Sequence, residues 1–154
     1  MLVNPGGFTP RWPTTYIACR LFGWQRFAPV AMRLLPRLYL RRRTQCVDAI
    51  RRASSLASES QSRSRTFAKV WRSFTEGGHN ALLYAAHIDF PVLLVWGTQD
   101  PVLPWLIDGR RAKRSFRHAQ VMKLPCGHQA FAEMPAEFMS VLRRFLGDKE
   151  RSEA

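Results

Sequence analysis

Acidic residues are scarce in this chain and missing from its first third. Eleven Asp and Glu stand against 24 Lys and Arg, and no carboxylate precedes Asp48. Ten arginines lie between Arg11 and Arg52, so the excess charge is concentrated as well as large. Such a field attracts nucleic acid, anionic lipid or an acidic substrate, and its plainest reading is a solvated arginine-rich surface. Arg41-Arg42-Arg43 and the "SRSR" run Ser62–Arg65 lack the regular aromatic interleaving of a nucleic-acid platform, so no specific nucleic-acid partner is expected. The three cysteines, Cys19, Cys46 and Cys126, are odd in number, far apart and without CxxC spacing, which argues against a disulfide framework. No apolar run approaches the roughly 20 residues needed to cross a bilayer. The start, "MLVNPGGF", lacks the basic and apolar regions of a signal peptide. The expectation is a soluble, cytoplasmic chain. There are no internal repeats, and no Ser or Asp sits in a Gly-x-Ser-x-Gly or Gly-x-Asp-x-Gly setting.

What is present is an alternation of apolar patterns. Met1–Asn4 reads as the end of a strand entering the Pro-Gly loop "NPGGF". From Thr14 to Gly77 the pattern is helical, with breaks expected at Gly23, Pro29 and Pro36. Thr44 is placed to cap a helix whose Val47, Ile50 and Ala57 share a face. The serines from Ser54 to Ser64 predict a mobile interruption of that helix. Phe67, Val70, Trp71 and Phe74 fall at i, i+3, i+4 and i+7, a packing stripe that Gly77-Gly78 should end. A short helical piece is expected around Ala81 to Ala86. Val92–Trp96 is a continuous β-branched and apolar run, the pattern of a strand covered on both faces in a parallel sheet. Pro104 should open the next helix, with Leu106 and Ile107 inward and Arg110, Arg111, Lys113 and Arg114 largely outward. Gln120–Leu124 gives another strand. A final helix presents Phe138, Val141, Leu142, Phe145 and Leu146 on one face, and a charged, frayed tail follows Gly147.

Two residues carry the chemistry. Asp100 follows one strand and His128 follows the next, 28 positions later. That spacing suits one strand–helix–strand crossover, whose right-handedness makes the strands parallel and sends both loops out of the same sheet edge. Ligands of such sheets bind outside the carboxyl ends of the strands. An acid and a histidine brought together there are two members of a nucleophile–His–acid triad. Each has a plainer reading: Asp100-Pro101 as an Asx-type turn, and His128 beside Gly127 as an ordinary loop histidine.

"PVLLVWGTQDPVLP" and "GHQAFAEMPAEFMSVLRRFL" resemble the acid loop and the histidine loop with final helix of the α/β-hydrolase family, in its lid-bearing esterases, epoxide hydrolases and haloalkane dehalogenases. "LVNPGGF" resembles the segment that leaves the preceding strand toward the lid. The resemblance covers the C-terminal half of the family's domain. It implies an α/β fold with a short parallel sheet of the last three strands, flanking helices and a helical lid. It divides the chain into a strand end and loop (1–13), a lid (14–89), a strand–helix–strand–helix core (90–147) and a charged tail (148–154). It also implies that His128 is the general base and Asp100 the triad acid, with no cofactor and no metal.

Glu133 resembles the family's acid in the final loop and reads as a helix-start or packing residue. Cys126 beside His128 invites a Cys–His reading, but sequence neighbours seldom meet in attack geometry. His79, His87 and His118 lack the spacing of a helical zinc site. Trp12, Trp24, Phe27 and Trp71 suggest an apolar pocket or lid interface. The expected activity is hydrolysis of a small apolar ester, epoxide or related substrate, once an N-terminal half supplies the nucleophile. Two other readings stand beside it: a non-enzymatic interaction module that self-associates through an exposed strand edge, and a basic binder of nucleic acid or anionic membrane.

Overall fold

The computed structural model describes residues 1–76 and 79–152, with side chains of the last helix described as far as Gly147. Three parallel strands form one sheet in the order β1 (Leu2–Val3), β2 (Val92–Gly97), β3 (Ala119–Leu124). Leu2 faces Leu94 across the first pair, and Val92 to Gly97 run in register with Ala119 to Leu124 across the second. All six residues of β2 are buried, which is why the run reads as continuously apolar. The two-residue period of the strand splits it between layers. Leu93 and Val95 pack with Leu124, Cys126, Met134, Phe138 and Phe145, whereas Val92, Leu94 and Trp96 pack with Phe8, Ala85, Ala112 and Phe116. Each fully buried Leu or Val contributes about 1.5–3 kcal/mol, so this strand anchors both layers. The indole N–H of Trp96 is satisfied by the Leu103 carbonyl at 2.9 Å.

Helices α1 (Pro13–Phe22), α2 (Ala28–Tyr39), α3 (Gln45–Ser58), α4 (Gln61–Ser73) and the short α5 (Leu82–Ala85) separate β1 from β2. A π-helical turn (Trp105–Gly109) and α6 (Arg110–Ser115) join β2 to β3, and α7 (Ala130–Glu133) and α8 (Pro135–Ser152) follow. Thr44 caps α3 by accepting from the Val47 amide at 3.1 Å. Phe138 and Phe145 of α8 are buried, while Leu146 on the same helix is exposed.

Several local expectations need correction. Gly23 ends α1, but Pro29 lies in the first turn of α2 and Pro36 lies within it. A proline inside a helix deprives the carbonyl four residues back of its donor. Here that carbonyl belongs to Met32, and the Ser54 hydroxyl supplies the missing donor at 2.6 Å. The serine-rich stretch is accordingly helical, broken only at Glu59–Ser60. Ser58 accepts from Arg33 at 2.7 Å, and buried Ser64 donates to the Ser58 carbonyl at 3.4 Å. These hydroxyls join α2, α3 and α4.

The helix bearing Phe67 ends at Ser73, and Gly77-Gly78 lie outside the described residues. The backbone beyond Gly147 continues as helix through Ser152, not as a frayed tail. Pro104 precedes a π-turn, not an α-helix. The wider turn leaves Leu106 67% exposed and points Asp108 inward.

Candidate active site

The loop after β2 folds around its own acid. Asp100 Oδ1 accepts from the amides of Val102 (2.8 Å) and Leu103 (3.2 Å), the Asx geometry that Asp-Pro invites. The second oxygen does something else. His128 Nδ1 lies 2.7 Å from Asp100 Oδ2, and Asn4 Nδ2 donates to the same atom at 2.6 Å. The Asx turn and the contact with His128 therefore coexist, one on each carboxylate oxygen. The acid side chain is wholly buried while the imidazole keeps 29% exposure. Burial of a carboxylate is costly without partners, and four donors offset that cost.

The network sets the histidine tautomer. The amide of Gly97 donates to Asn4 Oδ1 at 2.8 Å, which turns the Asn4 NH₂ toward Asp100. An ionised carboxylate only accepts, so the neutral imidazole that fits this site is the tautomer with its proton on Nδ1 and its lone pair on Nε2. That is the arrangement a general base requires.

Close approach of β2 to the histidine loop depends on two glycines. A Cβ on Gly97 would collide with the Gly127 carbonyl oxygen, and one on Gly127 with the Tyr39 carbonyl oxygen. The His128 amide donates to that Tyr39 carbonyl at 2.9 Å, and the Tyr39 ring meets the imidazole edge-on, centroids 5.4 Å apart. Burial pushes the Tyr39 phenol above its ordinary pKa, so it stays neutral.

Glu133 is the clamp. Its Oε2 accepts from the amides of Arg41 (2.8 Å), Arg42 (3.0 Å) and Gly127 (2.9 Å), and its Oε1 from Gln129 (3.2 Å). One buried carboxylate thus ties the end of α2 to the loop on both sides of His128. Thr44 Oγ1 adds a bond to the Ala132 carbonyl at 2.7 Å.

Sequence reading placed Glu133 as packing but could not see this role, because its partners are backbone amides that no side-chain pattern reveals. Asn4 is equally hard to recognise from sequence. Its only legible signal is Asn at a strand end before Pro, a type that tolerates its φ of 38°.

The imidazole stands on the wall of a cavity of about 960 Å³, with Gln129, Asn4 and Tyr39 beside it. Phe22, Met32, Leu35, Phe67 and Trp71 form apolar walls. The aromatic stripe of α4 therefore packs on Phe22 and faces this space, whereas the residues α4 buries fully are Ser64 and Ala68. Trp12 and Trp24, expected at an apolar pocket or lid interface, are 50% and 56% exposed. Cys126 is buried, its thiol pushed up to about 12 chiefly by burial and then by Glu133, so it supplies no thiolate. His79 lies against Phe74, and His87 reaches the Leu83 carbonyl. Among the described residues no cluster of three or more His, Cys, Asp or Glu has metal-binding proximity. Asp108 is buried beside Thr9, its pKa raised mainly by desolvation.

No family model and no curated protein matches the chain. Solved structures do. A membrane phospholipase A described as a bacterial virulence factor aligns with a TM-score of 0.73 at 18% identity, over 96% of this chain and 48% of its own. An esterase from Exiguobacterium antarcticum aligns at 0.67 and 14%, covering 91% and 53%. An alpha/beta hydrolase enzyme from a Medee basin deep-sea metagenome library aligns at 0.63 and 20%, covering 94% and 54%. The three-stranded parallel sheet with helices on both faces, matched at this level, shows that the chain has the α/β-hydrolase fold and spans about half the length of these solved structures.

Proposed function

We propose that this chain supplies the base and the acid of a hydrolase acting on a small apolar ester or related substrate. One observation carries the reading: the 2.7 Å contact of His128 Nδ1 with a buried Asp100, at the edge of a largely apolar cavity. His128 Nε2 takes the proton of a serine hydroxyl, or of water where the nucleophile is an aspartate. Asp100 holds the ring and stabilises the imidazolium that forms. The nucleophile and the oxyanion-hole donors come from residues outside these 154, consistent with coverage of about half of the matched structures. The edge of β1 away from β2 is unpaired among the described residues and offers the place for a further strand. Helices α1–α4, in the segment 14–89, serve as the lid over the cavity.

The test is to join or co-express this chain with a nucleophile-bearing N-terminal half and assay a short chromogenic ester. The isolated chain is expected to show no turnover. The completed protein should lose about 10⁴-fold with Asp100→Asn, the loss seen on removing a triad acid elsewhere. Full activity after His128→Ala would remove the assignment.

A further inference from the structure

Helix α1 is apolar on both sides, and only one side is accounted for. Thr15, Ala18, Cys19 and Phe22 face the cavity. Across the helix, Tyr16, Ile17, Arg20 and Leu21 recur at i, i+1, i+4 and i+5 and point away from the protein. Tyr16 is 52% exposed and Ile17 64%, and the flanking Trp12 and Trp24 are open as well. A patch with two tryptophans, a tyrosine, an isoleucine and a leucine on one short face is unusual for a surface in water.

Two arginines belong to this segment. Arg20 lies over the Tyr16 ring, 5.8 Å from its centroid, and exposed Arg26 follows the helix. On α2, exposed Leu34 and Leu38 alternate with exposed Arg33 and Arg37. No acid occurs before Asp48, and none of the ion pairs among the described residues involves Arg20, Arg26 or Arg37.

We propose that the outward face of α1 seats on an anionic lipid bilayer, with Trp12, Ile17, Leu21 and Trp24 in the interface and the arginines at the headgroups. Amphipathic surfaces that combine Trp and aliphatic residues with Arg lie in that plane, and each basic residue near an anionic leaflet adds to the attraction. Nucleic acid is a poorer fit, because Ile17, Leu21 and Leu34 gain nothing from a phosphate backbone. A second copy is poorer still, because each chain carries a net charge of +13 and like fields repel. The association is peripheral: no helix among the described residues is long and apolar enough to cross a membrane. A helix with its side chains is about 10 Å thick, so the lipid lies one helix diameter from the cavity. The proposal stands independently of the hydrolytic reading.

Vesicle flotation of the full chain tests it, using phosphatidylcholine vesicles with and without phosphatidylglycerol. Binding is expected to the anionic vesicles and to weaken as salt rises past about 0.15 M, where the Debye length is near 8 Å. Trp12→Ser with Trp24→Ser should lower the partition coefficient by about tenfold or more at constant salt. Arg20→Gln with Arg26→Gln should lower it and flatten the salt dependence. Leu83→Ser with Tyr84→Ser, two exposed apolar residues on α5, should leave it unchanged. Absence of wild-type binding to anionic vesicles overturns the proposal without any variant. So does equal loss in the α5 control, DNA binding indifferent to the Trp replacements in place of lipid binding, or a concentration-dependent dimer that the Trp replacements abolish.

Discussion

The side-chain amide of Asn4 donates to Asp100 Oδ2 at 2.6 Å, across 96 positions of sequence. It is the contact that joins the end of β1 to the acid of the next strand. The oxygen it touches is the one His128 uses, so the orientation of the imidazole depends on a residue at the very start of the chain. Asn4→Ala should cost about 1–3 kcal/mol, because both the Gly97 amide and the buried carboxylate lose a partner. Asn4→Asp should cost more at pH 7 than at pH 4, since a second carboxylate would then face Asp100 and protonation relieves the repulsion. Urea unfolding at the two pH values measures both.

Glu133 predicts a larger loss. Four backbone amides converge on its carboxylate, and Glu133→Ala leaves buried donors without an acceptor. Removal is expected to cost about 3 kcal/mol or more, since each buried amide left without an acceptor costs about 1–3 kcal/mol. Amide exchange at Gly127 and Arg41 should accelerate well beyond the global change, because the loop at His128 is released before the sheet.

The Pro36 and Ser54 pair can be measured as a cycle. Ser54→Ala alone should cost about 1 kcal/mol by taking the donor from the Met32 carbonyl. In a Pro36→Ala background the helix supplies its own N–H to that carbonyl, so the same replacement should cost less. A coupling of at least about 0.5 kcal/mol in denaturant unfolding is expected. Strict additivity would show that the hydroxyl does not substitute for the missing backbone donor.

Cysteine chemistry supplies a prediction in pH. The Cys126 thiol ordinarily titrates near 9.0 and is pushed up to about 12 in the fold by burial, with Glu133 as the next cause. The folded state therefore favours the neutral thiol. This contribution to stability is complete below 9.0 and is lost as pH rises from there toward about 12. Cys126→Ala should remove that part of the alkaline decline. A thiol reagent at pH 8 should titrate exposed Cys46 in the folded chain and reach buried Cys126 only on unfolding.

The parallel strand β2 was legible because burial on both faces leaves no alternation, and Val92 to Trp96 shows none. Asp100 and His128 were legible as a pair because their spacing matches one crossover, a local rule of chain geometry. The interruption expected at the serines is confined to Glu59–Ser60, for the opposite reason. Ser54, Ser58 and Ser64 are polar in sequence, yet their hydroxyls find carbonyls and a guanidinium on other turns and other helices. Composition reports what a side chain prefers in water, not which partner the fold delivers to it.

What the linear order determined by itself was the run of strands and helices, the acid and histidine after successive strands, and the one-sided charge of the first helices. Only the tertiary structure decided that Asn4 and His128 share one carboxylate oxygen. It alone made Glu133 an acceptor for four amides, and turned Trp12 and Trp24 outward. The reason is range. Periodicity and capping act within a few residues, whereas a hydrogen bond across 96 positions forms only once the packed sheet has brought its ends to within 3 Å.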